Sequence, residues 1–357
     1  MDCVLLWEET EKNERVERKM IRDKSNVMSL SEKSFVQNFR LSKESFKYVL
    51  DSISGELKTP RRSTGIPEIV KLAATLKFLA QGGYQQQIGQ DHHTGLAQQT
   101  VSRCMFEVCK AIEKVLCPKH ITFGMTSEEK NEANRDFYSV SGIPGVIGVV
   151  DGTHIQMIRP AVNEHLYFNR KLKHSINAMV ICDHKMMIKA VNGRFAGACH
   201  DSHVWNLSSE RQYLQTNYMN GERGIRILGD SGYPLEPWLL TPYRNAPENS
   251  AESYYNYKFS KARSFIERVF GVLKARFRCL LASRELHYAP EKVVQILNVC
   301  CALHNICTFF FNVESPANIA IEVEEVDASY TETIGNANET NIAKRLRDQI
   351  KNSMTTL

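Results

Sequence analysis

Paired cysteines of the metal-binding or redox kind are missing. The ten cysteines, from Cys3 to Cys307, contain no Cys-x-x-Cys, and most of them lie inside apolar runs. That pattern excludes zinc ribbons and dithiol chemistry and reads as buried, reduced thiols of a nuclear or cytosolic protein. No apolar run approaches the ~20 residues of a membrane span, so no membrane role is expected. The start, Met1 to Trp7, is short and followed by Glu8 and Glu9, which does not read as a secretory signal. No glycine-rich phosphate loop follows the first β-rich run, Val146 to Val150, which disfavours a doubly wound nucleotide-binding fold. A strong charge bias is missing too: 45 Lys and Arg against 40 Asp and Glu leave a net charge of +5. So small an excess permits nucleic-acid binding without requiring it. Residues 312–343 do have a sign, with seven acids and no Lys or Arg, and too few large apolar residues for a core.

What is present suggests two folded units and two tails, as 357 residues exceed one typical domain. Residues 1–30 are a charged, flexible arm, 31–130 a helical unit, 140–311 an α/β unit and 312–357 an acidic, disordered tail. Lys344-Arg-Leu-Arg347 is a short basic cluster that reads as a nuclear address. In the helical unit, Ser31 and Ser42 are helix-start signals, and apolar residues from Ile69 to Leu79 keep helical spacing until Gly82-Gly83. Tyr84 to Ile88, the polar turn Asp91-His-His-Thr-Gly95 and a helix opening at Gln98 complete the pattern of a helix-turn-helix. In such a motif the early residues of the last helix, here Gln98, Gln99, Thr100, Ser102 and Arg103, reach base edges. A plain helical bundle with a polar outer face has the same pattern. His92-His93 reads as loop without metal, and the helical Cys300, His304 and Cys307 as parts of a packed core helix.

Three carboxylates carry the chemistry. Ile225 to Leu228 is a short buried strand delivering Asp230; Val146 to Val150 is another, ending in Asp151; Glu267 stands on a late helix with Phe265, Val269, Val272 and Leu273 on its apolar side. Ile155 to Ile158 reads as a separate strand, followed by strands around a turn at Asp183-His184. Two-metal phosphodiester cleavage needs hard oxygen ligands around cations about 3.5–4 Å apart, and Mg²⁺ or Mn²⁺ suits them. Singly, a strand-end Asp before Gly is a turn residue and a helical Glu beside Arg is a solvated charge. Asp201, in Cys199-His-Asp-Ser-His203, is an accessory acid or a helix cap. From Lys258 to Arg284 there are eight Lys and Arg and one acid, Glu267. Arg263, Arg268 and Lys274 in that stretch suit phosphate strands.

The segments Val149-Val-Asp-Gly-Thr-His154, His200-Asp-Ser202, Leu228-Gly-Asp-Ser-Gly-Tyr-Pro234 and Ile266-Glu-Arg-Val-Phe-Gly271 resemble the PIF/Harbinger superfamily of DDE transposases. The resemblance covers roughly residues 35 to 311. It implies an RNase H-like mixed sheet with flanking helices, preceded by an all-α, helix-turn-helix-like domain. It puts the catalytic and metal-binding acids on Asp151, Asp230 and Glu267, with 36 residues between the last two. It also implies Mg²⁺ or Mn²⁺ as cofactor, DNA as substrate, a nuclear location with some cytoplasmic presence, and a Myb-like DNA-binding protein as partner. Phe195-Ala-Gly197 departs from the family, which commonly has Pro before that Gly; the change touches a loop and no acid. A rival reading on the same fold is a domesticated, catalytically silent DNA-binding or scaffold protein.

Overall fold

The β-rich runs assemble into one five-stranded mixed sheet in the computed structural model, which describes residues 2–59, 65–311 and 337–355. In chain order the helices before the sheet are α1 (Asp2–Lys24), α2 (Glu32–Phe39), α3 (Lys43–Ile53), α4 (Glu68–Gln81), α5 (Gln85–Gly89), α6 (Gln98–Val115), α7 (Cys117–His120) and α8 (Ser127–Ser141). Then come β1 (Val146–Gln156), α9 (Glu164–Tyr167), β2 (Ser175–Cys182), β3 (Ile188–Ala196), α10 (Asp201–Asn206), α11 (Ser209–Met219), β4 (Arg226–Leu228) and β5 (Leu239–Leu240). Helices α12 (Ala251–Arg276), α13 (Pro290–Phe311) and α14 (Ala337–Thr355) follow. The chain divides into two compact units. One comprises Met1–His120, Lys274–Leu286 and Gln295–Ser315; the other comprises Ile121–Leu273, His287–Val294 and Pro316–Leu357.

In the second unit the strand order is β3-β2-β1-β4-β5, with β1, β2 and β3 antiparallel and β4 and β5 parallel to β1. All eight residues of β2 are buried, which suits the middle of a two-sided sheet. Helix α12 buries Tyr255, Phe259, Ala262, Ile266, Val269 and Leu273. Their alternating spacing of four and three residues is one helical stripe. Ser250 starts this helix by accepting the Ser253 N–H at 3.1 Å. Such caps contribute about 1 kcal/mol.

The strand expected to end at Val150 does not end there. Residues Val146 to Gln156 form one strand, in which Asp151, Gly152, Thr153 and His154 pair with Val180, Met179, Ala178 and Asn177 of β2. Asp-Gly resembles a turn in sequence, but here the ladder to β2 takes up its backbone. The helical stretch from Asp201 to Met219 breaks at Leu207-Ser208, where Ser208 caps α11 through the Arg211 N–H.

The other unit holds the early helices. Ser31 and Ser42 accept N–H bonds at the starts of α2 and α3, and Gly82, at φ +64°, closes α4 in the left-handed conformation that glycine tolerates. Residues 2–24, read as a charged arm, are helical, with ion pairs one turn apart such as Arg15–Glu11 and Lys19–Asp23. Helix α13 corrects the expectation about apolar runs: Pro290–Phe309 is long and apolar enough to cross a membrane, with mean hydropathy 1.3. Yet 67% of that window is buried in the protein, and its polar residues bond internally. Asn298 donates to Glu113, Asn305 to the His120 carbonyl, and Arg276 meets His304, so this stretch is a core helix.

Most of the tail expected to be disordered, residues 312–336, lies outside the described residues. Residues 337–355 form α14, which buries Ala343 and Ile350. Lys351 bonds Glu252, Asp348 accepts from the Tyr243 hydroxyl, and Arg347 donates to the carbonyls of Thr241 and Pro242 while lying 3.9 Å from the Tyr243 ring. The basic cluster read as an address therefore spends Arg347 on folding.

Candidate active site

Two strands bring the first two acids together by register. Val149 of β1 pairs with Leu228 of β4, the last rung of that parallel ladder. Asp151 stands two residues beyond this rung on β1, and Asp230 two residues beyond it, just past the end of β4, where each lies in the other's field. Asp151 Oδ1 accepts the Gly152 N–H at 2.9 Å; Asp230 Oδ1 accepts the Gly232 N–H at 2.9 Å. Burial pushes the Asp151 carboxyl up to about 7; the Arg263 guanidinium opposes this, and the charges of Asp230 and Asp201 add to it.

Asp201 is the first residue of α10, and His200 holds the cap position. Its Oδ1 accepts from Asn177 Nδ2 of β2 at 2.8 Å. Gly152 is what allows this approach, since a Cβ there would collide with the Asp201 carboxylate. Fully buried Trp205 fixes α10 by donating its indole N–H to Glu236 at 2.9 Å.

Helix α12 supplies the remaining charges. Arg263 Nη2 donates to Asp151 Oδ2 at 2.6 Å, with side chains 13% and 17% exposed. Among the described residues its Nε has no hydrogen-bond partner. Burial lowers its pKa, but Asp151, Asp230 and Glu267 outweigh that and raise it. Glu267, one turn further along, is exposed. Arg268 is exposed, with its guanidinium 4.5 Å from the Phe265 ring, and Lys274 is half-buried and belongs to the other unit. Arg263, expected on phosphate, is thus held by an acid.

Sequence reasoning missed Tyr233. It is 3% exposed, and its hydroxyl has no partner among the described residues. Burial, then the charges of Asp201, Asp151 and Asp230, push its phenol well above the ordinary value. A buried hydroxyl within the fields of three carboxylates could have been suspected only from the Gly-Asp-Ser-Gly-Tyr-Pro turn.

These residues suit a divalent cation. Hard carboxylates of β1, the end of β4 and the start of α10 lie within one another's fields, and a buried hydroxyl in those fields has no partner among the described residues. The acids are not drawn into a closed ligand set: among the described residues, the group of His, Cys, Asp or Glu with ligand atoms within 4.8 Å of one another is Asp91, His92 and His93. There, in the loop expected to be without metal, Asp91 pairs with Lys77 and accepts the His93 N–H at 2.9 Å.

In the helical unit, Gln98, Gln99, Ser102 and Arg103 are exposed at the start of α6 and, with Gln85, line a shallow concavity. Thr100 is half-buried, and Val101, Cys104, Met105 and Val108 turn inward.

Residues 150–305 match the DDE superfamily endonuclease family. The chain is 32% identical to "Putative nuclease HARBI1" of Bos taurus over 287 residues, 80% of each chain, and 31% identical to the Homo sapiens protein of that name over the same shares. "Protein ALP1-like" of Arabidopsis thaliana is 27% identical over 298 residues, 78% of this chain and 71% of that one. No solved structure matches.

Proposed function

The chain belongs to the DDE superfamily endonucleases, with the Harbinger-derived nucleases, and from that premise we propose that it is a metal-dependent endonuclease acting on DNA phosphodiester bonds. The observation that carries this reading is the register that sets Asp151 and Asp230 two residues past one rung, beside the raised Tyr233 and the paired Arg263. The strand order β3-β2-β1-β4-β5, with late helices, supports an RNase H-like fold.

Asp151, Asp230 and Glu267 would hold Mg²⁺ or Mn²⁺. Bound there, such ions supply an activated water or 3′-hydroxyl and stabilise the leaving oxygen of an in-line displacement. Asp151 enters with its carboxyl raised to about 7, so it loses its proton as the ligand charge is needed. Asp201 is held by Asn177 and adds negative charge without being required as a ligand. Arg263 neutralises Asp151 without metal and then becomes available to a phosphate oxygen. Gln99, Ser102 and Arg103 on α6 form the base-reading edge of a helix-turn-helix, and a Myb-like protein would supply further site choice.

The test is cleavage of supercoiled DNA in Mn²⁺. Wild type nicks it and Asp230→Ala does not, with the fold of both checked by circular dichroism. Equal activity of the two removes Asp230 from the site. Inactivity of both, with metal and a DNA-binding partner supplied, favours the silent scaffold.

A further inference from the structure

We infer that the β1–β2 connection, Met157 to His174, is a DNA-docking finger: Arg170, Lys171 and Lys173 grip the phosphate backbone beside the acid site and Leu172 acts as an apolar wedge. This rests on the endonuclease reading above.

The finger has a defined shape. The Met157 N–H bonds the His174 carbonyl at 3.0 Å, and Phe168 bridges to His174. Asn169, 6% exposed, organises the tip: its Oδ1 accepts the N–H groups of Lys171 and Lys173, at 2.9 and 3.1 Å. Its Nδ2 donates to Ser175 Oγ at 2.9 Å, and Ser175 Oγ meets His154 Nδ1 at 3.0 Å. His154 lies on β1, three residues beyond Asp151. The tip is therefore tied to the strand that carries the first acid.

A second tie runs to Asp201. Arg170 Nη2 lies 3.1 Å from Nδ1 of His200, the cap residue of α10, and the Ala198 N–H bonds the Leu166 carbonyl at 2.9 Å. A DNA strand at the acids would pass this tip.

The surface chemistry suits DNA. Ile158, Val162, Leu166, Phe168 and Leu172 are large apolar side chains left exposed within one short segment, Leu172 by 74%. Leu172 also has φ +58°, in the left-handed region that Gly or Asn adopts more readily. An apolar side chain held in that conformation at an exposed tip matches the wedges that enter base steps. Arg159, Arg170, Lys171 and Lys173 share its segment. The one acid of the segment, Glu164, is taken by Arg159 at 2.6 Å and His174 at 3.1 Å. That charge balance is complementary to phosphate and poor for an acid-free apolar protein groove.

The full chain is tested by anisotropy on a short duplex over a range of salt. Arg170→Gln/Lys171→Gln/Lys173→Gln should weaken binding about tenfold or more and reduce the slope of log K against log salt by about 2–3. Leu172→Asn, which suits the same backbone, should keep the salt slope but lose fluorescence enhancement from 2-aminopurine in the duplex. Both variants should keep the metal-free melting temperature and its rise with Mn²⁺, which separates this proposal from the acid-site reading. If the triple variant does not fold, Lys171→Gln alone should reduce the slope by about one. Loss of duplex binding in the variants supports the finger even where wild type proves catalytically silent. Wild-type affinity and slope in folded variants overturn it and leave this face to a protein partner.

Discussion

Arg263 Nη2 reaches Asp151 Oδ2 at 2.6 Å, joining α12 to the centre of β1 across 112 residues of sequence. The guanidinium stands within the fields of Asp151, Asp230 and Glu267, the three acids proposed as ligands. Removing one partner of a buried pair costs about 3–5 kcal/mol, and the slight exposure of this pair favours the lower end. Arg263→Met should therefore lower the metal-free melting temperature by several degrees. It should also enlarge the rise produced by Mn²⁺, because a competing positive charge is gone. Scanning fluorimetry with and without Mn²⁺ reads both effects, and an unchanged metal response would remove Arg263 from the site.

The raised Asp151 carboxyl predicts a pH dependence. Its folded value is about 7, whereas an unfolded Asp titrates near 3.9 (a standard reference value). Between about 4 and about 7 the folded state keeps a proton that the unfolded state has lost, so metal-free stability falls as pH rises through this window. Asp151→Asn should flatten the trend. A divalent ion should reverse it, since metal binding requires the charged carboxylate. Melting temperatures at several pH values, with each state tested with and without Mg²⁺, decide this.

Glu267→Gln and Asp201→Asn separate ligand from accessory. A ligand that binds only the folded state stabilises it by about 2.7 kcal/mol at one hundred times Kd. Glu267→Gln should lose most of that metal-induced gain while α12 persists, because Glu267 is exposed. Asp201→Asn should lose less of it, and its bond to Asn177 would be weakened. The opposite ranking would make Asp201 the third ligand.

Arg103→Ala tests the helical unit. If α6 reads bases, this change should cost about 1–3 kcal/mol on preferred sequences only; a phosphate contact would weaken every sequence alike. Binding unchanged on all DNA tested returns α6 to a plain bundle helix.

The acids were legible because each sits in a short run of β-branched or helical residues that sequence patterns mark well. Their setting was less so. Asp151 read as a strand-end turn residue because Asp-Gly favours turns, and only the β2 ladder shows the strand continuing to Gln156. The edge strand β5 is two residues, Leu239 and Leu240, too short for any periodicity. Helix α14 was hidden because, among its described residues, only Ala343 and Ile350 are buried, and its anchors, Arg347 and Lys351, look like solvated charges until Tyr243 and Glu252 are in view. Arg263 looked like one cation among eight; its bond to Asp151 sets it apart.

The central claim, that Asp151 and Asp230 build a divalent-cation site, is tested most directly by calorimetric titration of Mn²⁺ into the protein without DNA. Saturable binding to wild type, lost in folded Asp151→Asn and Asp230→Asn, is the predicted result. Identical isotherms for wild type and both variants would contradict it.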